Sequence, residues 1–157
     1  MINFDIGKHI GNALLIFSPK IELDISIDSF TFRKDIICKK FKTYLYVSKG
    51  EKKPRILSVG EVPVRAFEAI KIELFQTNNQ IDNDLDKYDC LSAFLKHCIR
   101  AITSKFAMIR PTIIVSGVNE LYPVLNGYQK KVMMNLLGDA GAARIIFKEN
   151  REIKKKL

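Results

Sequence analysis

The sequence predicts an α/β fold in which helices cover a mixed sheet, and two observations support this class. In the first third of the chain, apolar and polar residues alternate strictly over residues 21–28, the period of two that is typical of a half-buried strand. Later in the chain, apolar residues recur at helical spacing on both sides of a short unbroken apolar run, residues 112–117. This change of period favours a group of strands followed by alternating helices and strands.

Strand patterns fill the first third of the chain. Besides the alternating segment, short apolar stretches bounded by turn residues predict further strands over residues 2–6, 13–17, 29–33, 43–48 and 55–59. We therefore expect a meander of strands that are mostly antiparallel.

Three helices are predicted in the remainder. Pro63 suits a first helical turn, and apolar residues at helical spacing predict a helix over residues 63–75. A longer helix is expected from about Asp84 to Pro111, with acidic residues at its start and an apolar stripe behind them. The third helix is expected to begin at Asn126, where Gln129 has the spacing of a capping box, and to end at Gly138.

Two more strands complete the predicted order. The run 112–117 is typical of a central parallel strand covered on both faces, and residues 143–147 form the last strand. Antiparallel strands followed by helix, strand, helix and strand are the layout of a ribonuclease H-like layer with a mixed five-stranded sheet. We expect one domain over 1–150, with extra strands or a small insertion at about 29–83, and a basic tail over 151–157.

The composition limits the classes of function. No apolar run reaches the roughly 20 residues that span a bilayer, and the first residues lack a signal-peptide layout, so we expect a cytoplasmic protein, with attachment to the inner membrane only through a partner. The three cysteines form no CxxC pair, which indicates reduced thiols. Cys90, His97 and Cys98 share a helix but lack a fourth ligand nearby, so we expect packing and no metal.

The net charge of +9 favours contact with nucleic acid, anionic lipid or an acidic protein surface. Much of the excess lies in residues 39–42, 49–53 and 151–156. Such runs also protect strand edges or solubilise tails, and this reading is favoured over a binding role. Phe41, Tyr44 and Tyr46 are interleaved with the first of these runs, which is the pattern behind a nucleic-acid hypothesis.

Six short segments also occur in an order that is familiar from one protein family. Asp5-Ile6-Gly7 is similar to a D-L-G-T-x-N-T hairpin, and residues 56–61 to an L-A-V-G-E strand end. The others are similar to D-F-D-V-T, R-P-R-V-V, E-R-R-A and A-G-A-R-E-V-Y, and they lie at residues 84–86, 110–114, 129–132 and 140–146. The chain thereby resembles the amino-terminal lobe of MreB-type bacterial actins, the rod-shape-determining proteins.

This resemblance implies a fold of the actin, Hsp70 and sugar-kinase superfamily, in which ATP lies between two lobes. Only one lobe is expected here. Asp5, Gly7, Lys8 and Gly11 would form a residual phosphate loop, although Lys8 stands where the family has threonine. Glu149 would be a vestige of the carboxylate that positions the attacking water. Because phosphoryl transfer needs charges around both ends of the phosphate chain, we expect no ATPase activity from the chain alone.

The leading hypothesis is a non-catalytic binding or scaffold protein linked to cell shape or the cytoskeleton. It would contact a protein partner, or a second copy, through the face where the second actin lobe would pack. No cofactor is expected, and ATP with magnesium only as residual binding. Two alternatives stay open: a residual or split ATP-binding protein that needs a second chain, and an anion or nucleic-acid binder. A two-metal nuclease is a weaker rival, since Asp5 and Glu149 are too few acids.

Overall fold

Eight strands form two sheets in the computed structural model, which describes residues 18–51, 54–75, 87–103 and 109–148. The larger sheet contains five of them: β1 (Lys20–Ile25), β2 (Ser29–Lys34), β3 (Ile37–Lys42), β7 (Thr112–Ser116) and β8 (Arg144–Phe147). The smaller sheet contains β4 (Tyr44–Ser48), β5 (Ile56–Val59) and β6 (Ala69–Glu73). The helices are α1 (Lys87–Ile102), the single turn α2 (Tyr122–Leu125) and α3 (Gln129–Asp139).

The larger sheet is mixed, as the sequence predicts. Its strand order is β3-β2-β1-β7-β8. The first three strands pair antiparallel, whereas β1 with β7 and β7 with β8 pair parallel. The parallel pairs require crossover connections, and α3 lies in the connection between β7 and β8. The predicted five-stranded sheet with helices is therefore confirmed.

Strand β1 lies at the centre of this sheet, and its alternation puts one apolar row on the core side. Ile21 and Leu23 are completely buried, while Glu22 and Asp24 between them are exposed. Strand β7 is the central parallel strand that the apolar run predicts, and Ile113 and Val115 are buried. Ile114 on its other face is only half-buried, because the described helices cover one face of the sheet.

The core lies between that face and the two long helices. Helix α1 buries a stripe that includes Phe94, Leu95 and Cys98, and α3 buries Met133, Leu136 and Leu137. Phe94 of α1 meets Phe30 of β2 edge-on, with ring centroids 5.6 Å apart. Full burial of each such side chain contributes about 1.5–3 kcal/mol relative to exposure. Since α1 and α3 also contact each other, both helices pack on the same face.

The helix predicted over residues 63–75 is wrong. The segment forms a short 3₁₀ turn, Ala66–Glu68, and then strand β6. Ile70 and Ile72 pair with Val47 and Leu45 of β4, and the intervening Lys71 is exposed. Ile70 and Leu74, four residues apart, fit a helix, but Ile70, Ile72 and Leu74 also alternate as in a strand, and pairing with β4 decides between the two patterns.

Strand β3 was not predicted as a strand, because its sequence is dominated by lysines. It is the outer strand of the larger sheet, and lysines on such an edge discourage pairing with other chains. The long predicted helix ends at Ile102, short of Pro111, while its predicted start, residues 84–86, and the predicted strands 2–6 and 13–17 lie outside the described residues.

The capping box predicted at Asn126 is also wrong. Asn126 has a left-handed conformation with φ of 46° and ends α2. The N-cap of helix α3 lies two residues later than expected, at Tyr128, and makes no side-chain cap hydrogen bond. The Gln129 side chain is buried in place of a capping role. No helix among the described residues is long and apolar enough to cross a membrane.

Candidate functional site

The carboxyl ends of the three parallel strands meet at one edge of the larger sheet, which is where open α/β sheets bind ligands. Strand β1 brings Asp24 to this edge, and β7 brings Ser116. The Ser116 hydroxyl donates a hydrogen bond to Asp24 Oδ1 over 3.1 Å. Beyond the end of β8, the Lys148 backbone N–H donates to the Val115 carbonyl over 2.8 Å. The edge thus presents one exposed carboxylate, one hydroxyl and one lysine.

Gly117 makes the close contact between the ends of β7 and β1. Its φ is 72°, in the left-handed region, and a Cβ added to it would lie 2.2 Å from the Ile25 carbonyl oxygen. Any other residue would therefore push the two strand ends apart. The backbone of this edge is packed too closely for a larger residue at position 117.

The turn between β1 and β2 is held against the smaller sheet. Ser26 donates its backbone N–H to the Ser29 carbonyl over 3.0 Å, which closes the turn. The Thr43 hydroxyl donates to the Ile27 carbonyl over 2.5 Å, and the Thr43 N–H to the Asp28 carbonyl over 3.1 Å. These bonds fix the turn at the junction between the sheets.

A cleft of about 300 Å³ opens beside this turn. The charged residues that line it include two acids and two lysines: Asp28, Lys42, Lys71 and Glu73. Lys71 Nζ lies 2.6 Å from Glu73 Oε1 and 4.6 Å from the Tyr44 ring centroid. The hydrogen bond that Lys71 donates to the Glu73 carboxylate raises the pKa of Lys71. Because amines and carboxylates balance within it, the cleft does not select a charged ligand.

The residues that the resemblance assigned to a phosphate loop, Asp5, Gly7, Lys8 and Gly11, lie outside the described residues, as does Glu149. Their roles stay predictions. The strand order draws attention to Asp24, the last residue but one of the central strand β1, which leads into a hairpin as Asp5 was expected to do. The sequence alone could have indicated this position, because Asp24 and Asp28 lie near the boundary between two predicted strands. The resemblance instead assigned the phosphate-loop position to Asp5.

The described edge supplies only some of the side chains that are needed to bind a magnesium nucleotide. One carboxylate and one hydroxyl can accept and donate hydrogen bonds to a hydrated cation or a phosphate. Within the described ranges, no group of three or more histidine, cysteine, aspartate or glutamate side chains is placed to hold a metal ion. We therefore derive no phosphoryl-transfer step from these residues.

The sequence pattern placed Gln129 at the start of a helix, but it did not predict that the Gln129 side chain is buried in the protein. Its Oε1 is the only buried side-chain polar atom without a hydrogen-bond partner among the residues that the structure describes. An unpaired buried polar group costs roughly 1–3 kcal/mol. It lies at the first residue of α3.

The three helical residues considered as metal ligands do not converge. Cys90 and Cys98 are buried in the core, while His97 is exposed and meets the Phe41 ring edge-on, with centroids 6.2 Å apart. Burial strongly raises the pKa of the Cys98 thiol, which keeps it protonated. The aromatics of the nucleic-acid hypothesis also separate: Phe41 turns toward α1, and Tyr44 and Tyr46 belong to the smaller sheet.

The smaller sheet carries a cluster of exposed apolar side chains. Leu57, Val62 and Val64 line a shallow groove of about 530 Å³. Phe67 lies on the 3₁₀ turn that borders the groove, and 79% of it is exposed. We call these four residues the apolar loop surface. The wrongly predicted helix would have buried Val64 and Phe67.

No protein-family model and no curated protein matches the sequence. Among solved structures, MreB5 of Spiroplasma citri bound to AMPPNP matches with a TM-score of 0.56 and 14% identity, over 84% of this chain and 38% of that chain. The chain has the fold of one actin-like lobe.

Two further structures support this fold. MreB5 of Spiroplasma citri bound to ADP has a TM-score of 0.54 and 15% identity over 84% of this chain and 38% of that chain. A non-polymerising A278D mutant of MamK bound to AMPPNP has a TM-score of 0.55 and 12% identity, over 83% of this chain and 41% of that chain. The actin-like lobe therefore spans about two fifths of the length of these neighbours, and the predicted single lobe is confirmed.

Proposed function

We propose that this actin-like lobe works by binding another protein of the cell-shape or cytoskeletal machinery, as a scaffold element without catalysis. The observation that carries the proposal is the apolar loop surface. Phe67 and Val62 are exposed to 79% and 65%, and Val64 is fully exposed. Contiguous apolar exposure of this kind marks interaction sites. Aromatic side chains, phenylalanine among them, are enriched at protein interfaces relative to the rest of the surface.

The apolar loop surface is held in place by its backbone. Glu68 donates its N–H to the Arg65 carbonyl over 3.2 Å, and Lys49 donates to the Glu68 carbonyl over 2.9 Å. The Ser58 hydroxyl donates to the Glu61 carbonyl over 2.5 Å. A surface that is already ordered loses less conformational entropy on binding. This favours a docking role over a loop that is merely solvated.

The absence of catalysis is part of the proposal and concerns only the region that matches these structures. The neighbours bound to AMPPNP or ADP are chains about two and a half times as long as the matched region. The chain described here aligns with only 38–41% of them. We place the protein in the cytoplasm, with attachment to the inner membrane through its partner, and we propose no cofactor.

The test is site-specific photocrosslinking in cells of the source organism. A photoreactive residue at Val64 is expected to capture an actin-like filament protein, and the double variant Val62→Glu/Phe67→Glu is expected to abolish the adduct. The matched control places the photoreactive residue at Met134, an exposed apolar residue on α3. Equal adducts from Val64 and Met134, or a strictly monomeric protein with no adduct, would contradict the proposal.

A split ATP-binding protein is the second candidate, supported by Asp24, Ser116 and Gly117 at the carboxyl edge of the larger sheet. Calorimetry with ATP and magnesium distinguishes it. Heat of binding from the chain alone that disappears in Asp24→Asn but persists in Glu22→Gln would favour this candidate. No heat of binding from the unchanged chain or from either variant would favour the scaffold function.

A further inference from the structure

The larger sheet has a second face, opposite α1 and α3, that no described helix or strand covers. The registers place the alternate residues of all five strands there. Its charged members, all exposed, are Lys20, Glu22, Asp24, Arg33, Lys40, Lys42, Arg144 and Lys148. We call this the open sheet face. It is separate from the apolar loop surface, which belongs to the smaller sheet.

Positive charge dominates the open sheet face, and it is arranged by strand. Arg33, Lys40 and Lys42 lie on β2 and β3, and Arg144 and Lys148 lie on and just after β8 at the opposite edge. The two acids lie on the central strand β1.

The acids have partners, whereas most of the basic residues have no ion-pair partner among the side chains that the structure describes. Glu22 Oε1 lies 3.3 Å from Lys148 Nζ, and Asp24 accepts the bond from Ser116. Within the described part of the chain, Arg33, Lys40, Lys42 and Arg144 form no ion pair with a carboxylate. Arg33, Lys40 and Arg144 therefore keep their full charge for an external anion, while Lys42 also lines the cleft beside Asp28 and Glu73.

We propose that the open sheet face binds the phosphodiester backbone of a nucleic acid. The Cα atoms of residues two apart on one strand, such as Lys40 and Lys42, are about 7 Å apart, and neighbouring strands are about 4.8 Å apart. Such a grid matches an anion that repeats along a chain. The net charge of +9 adds long-range attraction for a polyanion.

The composition of the face favours nucleic acid over a membrane. Its only apolar side chains are Ile114, which is half-buried, and Ile146. Binding to a membrane surface combines electrostatic attraction with apolar side chains that enter the bilayer, and this face has few such side chains. No aromatic ring lies at these positions, so bases have nothing to stack on. Binding is therefore independent of sequence and sensitive to salt.

The test is fluorescence polarisation of the full chain with labelled single-stranded and duplex oligonucleotides of about 30 nucleotides over a series of NaCl concentrations. The face variant is Arg33→Gln/Lys40→Gln/Arg144→Gln. The control variant, Arg65→Gln/Lys130→Gln/Lys131→Gln, removes the same charge from exposed positions off this face. We expect the face variant to lose affinity by at least about tenfold and to bind with a shallower salt dependence, while the control changes by less than about threefold.

Three results would overturn the proposal. The first is no binding of oligonucleotide by the unchanged chain at low salt, and the second is an equal loss of affinity in the two variants. The third is a face variant that keeps its affinity for oligonucleotides but no longer binds phosphatidylserine vesicles. If the triple variant fails to fold, acetylation mapping on the unchanged chain decides. Oligonucleotide is expected to protect Lys40 and Lys42 from acetylation and to leave Lys130 reactive, and uniform reactivity would contradict the proposal.

Discussion

At the scale of single residues, Gly117 is the described glycine at which an added Cβ would make the shortest contact. It combines a left-handed backbone with a Cβ direction that points at the Ile25 carbonyl oxygen, 2.2 Å away. We expect Gly117→Ala to lower the free energy of unfolding by about 2–5 kcal/mol, since it adds a clash with backbone to the cost of positive φ.

Gly127 provides the matched control for this prediction. Its φ is 93°, but an added Cβ would meet nothing within 4 Å. Gly127→Ala is therefore expected to cost only the backbone strain, about 1–2 kcal/mol. Urea denaturation of both variants measures the difference, and equal losses would mean that the contact with Ile25 is absent.

The three cysteines are expected to differ sharply in reactivity. Cys38 is exposed, whereas Cys90 and Cys98 are buried, and burial raises the pKa of the Cys98 thiol far above its ordinary value. Because the thiolate is the reactive form, an aromatic disulfide reagent at pH 8 should modify one thiol rapidly and the other two only on unfolding. Cys38→Ser should remove the rapid phase. A rapid phase that survives this substitution would contradict the described burial.

At the scale of elements, the segment after Pro63 offers a direct test of strand against helix. In β6, Ile72 is buried against Leu45, while Val64 in the preceding turn is exposed. We expect Ile72→Ala to cost about 2–5 kcal/mol and Val64→Ala to stay within about 0.5 kcal/mol.

A helix over this segment would predict a different result. The helical spacing puts Val64 on the buried face together with Phe67 and Leu74. Thermal or urea denaturation of the two alanine variants thus separates the alternatives. A large loss of stability in Val64→Ala would favour the helix over the strand.

At the scale of the whole molecule, the excess of positive charge should act against folding at low ionic strength. The chain carries a net charge of +9, and self-repulsion destabilises a compact state. The screening length falls from about 30 Å at 10 mM salt to about 8 Å at 150 mM. We expect the Tm to rise by roughly 2–5 °C between these NaCl concentrations.

A charge-reduced variant provides the control for this effect. Lys130→Glu/Lys131→Glu replaces two exposed lysines of α3 and lowers the net charge. Its Tm should rise less with salt than that of the unchanged chain. A Tm that falls with salt would mean that attractive charge pairs outweigh the net repulsion.

The sequence by itself determined the elements whose patterns are long or unambiguous. The alternation in β1, the apolar run of β7 and the apolar stripe of α1 each specify one period, so their type and the mixed five-stranded sheet were predicted. The order of short motifs also indicated an actin-like lobe, which the solved structures support at the level of fold.

Only the tertiary structure decided whether the short or polar elements are strands or helices, and which side chains form the surfaces. Pairing with β4 made β6 a strand, and an edge position made the lysine-rich β3 a strand, because hydrogen bonds to a neighbour can outweigh local preference. The close approach of Gly117 to β1, the burial of Gln129 and the charge of the open sheet face likewise depend on residues far apart in the chain. Periodicity reports which side of an element is apolar, but only packing decides what that side meets.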